Sequence, residues 1–237
     1  MRRPIIVALD VENKAKASML LEQLGGDVYV KIGMELFYKE GLSFVESVKQ
    51  RGHGVFLDVK MHDIPETVKR AMTIVAASGI DLVNVHALGG RRMMEAAREG
   101  IEIGSGSPGR PALIAVTQLT STSDAQVVAE QGVTSGLAHS VEQLALLTKQ
   151  SGLDGVVCSV HETKQIKHVC GSDFLCVTPG IRSAQTAEHD QVRTATPADA
   201  AAAGADAIVC GRQITRSSNP YKAYQAIQKE WLSNEPV

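Results

Sequence analysis

The stretch Val55-Phe56-Leu57-Asp58-Val59-Lys60-Met61-His62-Asp63-Ile64-Pro65, with its continuation to His86, decides the fold. Residues 55–58 are a short apolar run that closes on a carboxylate. Residues 67–78 then set Val68, Met72 and Val75 at the spacing of one helical face, and Gly79 stops the pattern. Residues 82–86 are a second apolar run, ending on His86. Strand, helix and strand in this order describe a unit of parallel sheet.

The same texture extends in both directions. Apolar runs recur at 5–9, 28–32, 113–118, 155–158, 174–177 and 207–210. Several are apolar throughout, as strands covered on both faces must be. Helical spacing recurs at 15–24, 41–51 and 141–149, with Gly25, Gly52 and Gly152 just beyond. Eight strand–helix alternations without a break in composition predict an α/β protein, a single (β/α)8 barrel over residues 1–237. No GxGxxG follows the first strand, which argues against a dinucleotide-binding sheet. The alanine run at 200–203 predicts one helical turn packed close to the barrel. The polar stretch 183–196 is long for a strand-to-helix loop and predicts a cover over a ligand.

Composition narrows the ligand. The 237 residues are 44% hydrophobic and 21% charged, with a formal net charge of −2. No charge run marks a nucleic-acid or membrane surface, so a small molecule is expected. The four cysteines are scattered without a CxxC pair and predict reduced, buried thiols in a cytoplasmic protein. The apolar run after Pro4 stops at Asp10, too short for a signal-peptide core or a membrane span.

In a (β/α)8 barrel the chemistry sits at the C-terminal ends of the strands. Polar residues there are Asp10, Lys31, Asp58, Lys60, His86, Thr117, Gln118, Thr120, Thr178, Arg182, Gly211 and Arg212. Lys31 lies inside the apolar run Val28-Tyr29-Val30-Lys31-Ile32, where a charge requires a partner or a polar cavity. Asp58 and Lys60 stand two apart, so an extended chain points both to one face. Asp63 adds a further carboxylate, and opposite charges of this kind can hold each other ionised. The bland alternative is an ordinary surface salt-bridge cluster; placed at the end of a buried third strand, with Lys31 on the second, the pattern reads as a site. Pro179-Gly180-Ile181-Arg182 and Gly211-Arg212 follow the seventh and eighth strands, where barrels commonly hold phosphate. Of the seven histidines, His62 and His86 lie near the site and are read as packing residues or as supports behind the site residues; His53, His139, His161, His168 and His189 are read as surface or loop residues. No His, Asp and Glu set stands at metal-ligand spacing.

The stretches IIVALD (5–10), VKIGMELF (30–37), FLDVKMHDIPETV (56–68), VNVHALGG (83–90), AVTQLTS (115–121), VTPGIR (177–182) and IVCGRQIT (208–215) resemble the bacterial orotidine 5′-monophosphate decarboxylases across nearly the whole chain. The resemblance implies a dimer of barrels that converts orotidine 5′-monophosphate to UMP and CO2 with neither metal nor organic cofactor. It implies that Lys60 donates a proton to C6 of the pyrimidine, that Asp58 lies beside the departing carboxylate, and that Lys31 completes the charge network and contacts the ribose. Asp10 is implied at the ribose and Thr120 at the pyrimidine edge. Gln191, Gly211 and Arg212 are implied at the phosphate, with Arg182 in the same region. Asp63, Ile64 and Thr67 are implied to reach the partner's site across the dimer. Two other readings stand beside this one. A magnesium-dependent sugar-phosphate decarboxylase or synthase of a related barrel would share Asp58, Lys60 and Asp63 but tends to carry an acidic ligand in place of Lys31. A non-catalytic phosphosugar-binding barrel has little use for four converging charges.

Overall fold

The computed structural model describes residues 3–106, 109–182 and 193–233. Eight parallel strands close into a barrel in sequence order: β1 (Ile5–Ala8), β2 (Tyr29–Gly33), β3 (Gly54–Met61), β4 (Leu82–His86), β5 (Ala112–Val116), β6 (Gly155–Val157), β7 (Leu175–Thr178) and β8 (Ala207–Cys210), with β8 paired to β1. Helices α1 (Lys14–Leu24), α2 (Met34–Gln50), α3 (Pro65–Ala77) and α4 (Gly90–Gly104) cover the first half. Helices α5 (Asp124–Ala129), α6 (Gly136–Gln150), α7 (Val160–Cys170) and α8 (Pro197–Ala203) cover the second, and α9 (Arg212–Thr215) and α10 (Pro220–Leu232) follow β8. The fold is the expected (β/α)8 barrel.

Alternation along each strand explains the apolar runs. Ile6, Phe56, Ile114, Val116, Val177 and Val209 point inward and fill the barrel. Val7, Val30, Leu57, Val83 and Leu113 point outward into a second core beneath the helices. Both sets are out of water, so both positions must be apolar. The alanine run enters α8, where Ala200 and Ala201 are buried against the barrel as expected. Trp231 in α10 is fully buried, and its indole N–H donates to the Arg3 carbonyl at 2.9 Å. The four cysteines are buried free thiols. Among the described residues no helix is long and apolar enough to cross a membrane.

Two sequence expectations change. The third strand does not stop at Asp58; β3 runs to Met61, and its register against β4 jumps between Leu57 and Met61. His53 is not a surface residue: it is buried, and its Nδ1 accepts from the Val28 N–H at 3.4 Å.

At the same N-terminal end of the barrel a related device recurs with a carboxylate in place of the imidazole. Asp81, Asp154 and Asp206 each precede an even-numbered strand. The carboxylate of Asp81 accepts the Val55 N–H at 2.7 Å, and the Asp81 N–H donates to the Val55 carbonyl at 3.1 Å. Asp154 does the same with Leu113, at 2.7 and 2.8 Å, and Asp206 with Cys176, at 2.7 and 3.0 Å. Each carboxylate also holds a cation: Lys49 at 2.6 Å, Arg110 at 2.6 Å and Lys167 at 2.7 Å. The first residues of a strand lack a complete ladder, and these clamps satisfy their N–H groups.

Burial pushes the Asp154 carboxyl up, but the Arg110 hydrogen bond, the Leu113 N–H and the charges of Arg110 and Arg98 together hold it below the usual carboxylate range. Its contribution to stability is therefore present above the unfolded value, about 3.9, and is lost as the pH falls through the lower folded value. Asp154→Ala is expected to cost about 1–3 kcal/mol at pH 7 by orphaning a buried N–H and a guanidinium. Chemical denaturation at pH 7 and at pH 3 checks this, since the gap to the wild type must narrow in acid; a gap equal at both pH values contradicts the clamp.

Candidate active site

The C-terminal ends of the strands surround a cavity of about 960 Å3. That is a volume suited to a nucleotide-sized ligand. Its floor is the top layer of the barrel interior, including Phe56, Val116, Val157 and Val209. One wall carries Asp10, Lys31, Asp58 and Lys60. Arg182, Gly211, Arg212 and Arg216 line the part of the cavity above β7 and β8, where Gly211 lies beside Asp10, and Gln118 and Thr120 line the part that follows β5.

The charged wall is one connected network. The Asp58 carboxylate, only 8% exposed, accepts from Lys60 Nζ at 2.7 Å and from the Asn84 side-chain amide at 2.7 Å through Oδ1. Its other oxygen lies 3.4 Å from Lys31 Nζ, which in turn donates to Asp10 Oδ1 at 3.1 Å. Carboxylate and ammonium thus alternate as Asp10, Lys31, Asp58 and Lys60 across strands β1, β2 and β3. Burial pushes the Asp58 carboxyl up, yet Lys31, Lys60 and Asn84 together hold it below the usual range. Burial pushes the Lys31 ammonium down, and Asp10 and Asp58 more than offset this, leaving it raised. Both groups stay charged at neutral pH. These fixed charges set up an electric field in the cavity that a bound molecule meets ready-made.

The part of the cavity above β7 and β8 is cationic. Arg182 follows β7, Arg212 opens α9, and Arg216 sits one turn beyond it. The stem of the β7–α8 connection is fixed by pairing between Ile181 and Ala195, with the Arg182 N–H donating to the Ala195 carbonyl at 2.9 Å and the Ala195 N–H to the Gly180 carbonyl at 3.1 Å. Arg193 leads into this stem; it pairs with Glu162 and donates to the Leu119 carbonyl at 2.8 Å, beside Thr120. Residues 193–196 of the expected cover are therefore stem and helix cap, since Thr196 caps α8. Residues 183–192, with Gln191, lie outside the described residues.

Of the residues singled out in the sequence, Asp10, Lys31, Asp58, Lys60, Thr120, Arg182, Gly211 and Arg212 line this one cavity. Asp63, Ile64 and Thr67 do not; all are exposed, Ile64 at 67%, and Asp63 Oδ1 accepts the Ile64 N–H at 2.6 Å. His62 and His86 stack with ring centroids 5.7 Å apart, and burial, then His62 and Lys60, hold His86 below the usual histidine range. They are packing partners beside Lys60. Sequence reading missed Arg216, whose four-residue spacing from Arg212 was its signal, and Asn84, a lone amide in the run Val83-Asn84-Val85. Among the described residues no group of three or more His, Cys, Asp or Glu is arranged to hold a metal ion.

Fold and cavity define a class: (β/α)8 barrels with a preorganised network of opposite charges facing a cluster of arginines. Residues 3–227 match the model of the Orotidine 5'-phosphate decarboxylase / HUMPS family, and the chain belongs to that family. It is 55% identical over 232 residues to the orotidine 5'-phosphate decarboxylase of Listeria innocua, covering 98% of this chain and 99% of that one. It is 53% identical to the Bacillus caldolyticus enzyme of the same name, covering 99% and 97%. Among solved structures, the orotidine 5'-phosphate decarboxylase of Lactobacillus acidophilus superposes with a TM-score of 0.88 at 44% identity, covering 97% of this chain and 99% of that one.

The network makes a direct prediction about charge. In a carbon-detected NMR titration the Asp58 carboxyl is expected to titrate below the ordinary value of about 3.9. Lys31→Ala removes the largest charge opposing burial and is expected to raise that midpoint. A midpoint unmoved by the substitution would contradict the network.

Proposed function

We propose that this protein decarboxylates orotidine 5′-monophosphate to UMP and CO2, as one (β/α)8 domain over the whole chain. The observation that carries the reading is the Lys31–Asp58–Lys60 cluster, which faces the same cavity as Arg182 and Arg212. The names of the Listeria and Bacillus relatives support it.

The chemistry asks for this arrangement. Breaking the bond from C6 to the carboxylate leaves the electron pair on C6, in an orbital the ring cannot delocalise. Stabilisation must come from fixed charge, and an ammonium beside C6 supplies it. The Lys60 ammonium then transfers its proton to that pair, giving UMP and CO2, and the neutral amine takes a proton back from water. Asp58 holds Lys60 in place and lies beside the leaving carboxylate. Lys31 and Asp10 hold the ribose, and Thr120 meets the pyrimidine edge. Arg212, Gly211 and Gln191, with Arg182, bind the phosphate. Binding at that remote end helps to order the reacting end. A second copy of the chain contributes Asp63, Ile64 and Thr67, whose exposure suits a role outside their own cavity. The protein acts in the cytoplasm, on a diffusible nucleotide, without metal or organic cofactor.

Three outcomes follow. Lys60→Ala is expected to lower kcat by about 10³-fold or more while the fold persists, since it removes both the proton donor and the charge; wild-type rates of substrate ultraviolet bleaching in that variant would sink the assignment. Arg212→Ala is expected to raise KM by about 10- to 100-fold, the effect of a lost charge-assisted hydrogen bond. Turnover in EDTA is expected to match turnover without it, and a magnesium-reversible loss would favour the sugar-phosphate reading instead.

A further inference from the structure

Lys60 is the one non-glycine residue among the described residues with a positive φ, 48°. A lysine rarely adopts this conformation, and it persists only where the surroundings impose it. The strand register shows what imposes it. Leu57 pairs with Val83 and Met61 with Val85. Between those pairs β3 places Asp58, Val59 and Lys60 where β4 places Asn84 alone. The ladder is broken there, as at any bulge, and the bulged backbone has lost its partners.

Asn84 replaces them with its side chain. It is fully buried. Its Oδ1 accepts the Lys60 backbone N–H at 2.8 Å, and its Nδ2 donates to Asp58 Oδ1 at 2.7 Å. The same Asp58 oxygen receives Lys60 Nζ at 2.7 Å. One amide therefore grips both ends of the bulge, while Val59 between them is sunk in the outer core.

We infer that Asn84 is a positioning residue of the decarboxylation: it holds the Lys60 backbone in its left-handed turn and the Asp58 carboxylate at its angle, so that the Lys60 ammonium is aimed at the reacting carbon. The task requires an acceptor and a donor on one short side chain. Leucine would orphan the N–H and one carboxylate lone pair. Aspartate would bring a second negative charge against Asp58. Glutamine is too long for the space opposite a bulge. The inference rests on the proposed decarboxylase reading.

The test uses Asn84→Ala and Asn84→Asp in the full chain, with kcat and KM for orotidine 5′-monophosphate measured from acid to neutral pH, and a crystal structure of each variant. Asn84→Ala is expected to lower kcat by about 10²-fold, the effect of an ångström-scale misplacement, with KM nearly unchanged because the arginine end is intact. Asn84→Asp is expected to be similarly impaired at neutral pH and to recover as the pH falls. Its protonated carboxyl then donates through the hydroxyl to Asp58 and accepts the Lys60 N–H through the carbonyl, as the amide does. A purely structural role would lower Tm without this acid recovery. A folded Asn84→Ala with wild-type kcat overturns the inference, as does a crystal structure of either variant that keeps Lys60 at a positive φ and 2.7 Å from Asp58. If Asn84→Ala does not fold, the near-isosteric Asn84→Asp decides by the same criteria. A wild-type protein that releases no CO2 sinks the function reading instead, and the Lys60 conformation in the variant crystals still decides whether Asn84 holds the bulge.

Discussion

The Asp58 carboxylate sits between two lysine ammoniums at the edge of an apolar barrel, and the rest of the site is arranged around that constraint. A charge this deeply buried is unfavourable unless each lost water is replaced. Lys31 comes from β2, Lys60 from the far end of the bulge in β3, and the Asn84 amide from β4. Three neighbouring strands are thereby committed to one carboxylate. Removing any partner leaves the others uncompensated, so the cluster behaves as a unit and single substitutions there are not additive.

The two ends of the barrel carry charge for different purposes. At the N-terminal end the carboxylates of Asp81, Asp154 and Asp206 hold backbone N–H groups and pair with cations. Their charge is spent on closing strand ends. At the C-terminal end charge faces a cavity, and one residue is kept in a strained backbone conformation. Strain of that kind needs a rigid support, which the clamped end and the double-layered core supply.

Much of this was legible in the sequence, for identifiable reasons. The strands could be read because both their faces are buried, which leaves long apolar runs. The cavity residues could be read because barrels place polar groups just past those runs. The end of β3 could not be read: Asp58 looks like a strand terminus, and only the register against β4 reveals that the strand resumes at Met61. Asn84 was missed for the same reason, since its importance lies in what it faces and not in its neighbours in the chain. His53 looked like a loop residue because the turn between α2 and β3 gives no sign of being buried. The Gly-x-Asp triplets at Gly79, Gly152 and Gly204 repeat in the sequence, yet their meaning depends on the preceding strand's N–H, which no local pattern displays.

The clamps also bear on the order in which such a chain can assemble. Asp81, Asp154 and Asp206 each join a strand to the one immediately before it, so these stitches can be laid down as soon as each new strand is available. The β1–β8 pairing, the packing of α10 on α1 and the Trp231 hydrogen bond to Arg3 need the beginning and the end of the chain together. Contacts between sequence neighbours form quickly, and distant ones wait on loop closure. The entropy of closing a long loop grows only slowly, by about 0.6 kcal/mol per doubling of length. A ribbon of strands already stitched side by side searches far fewer arrangements than a free coil. Joining its two edges is thus a small final step for so large a ring.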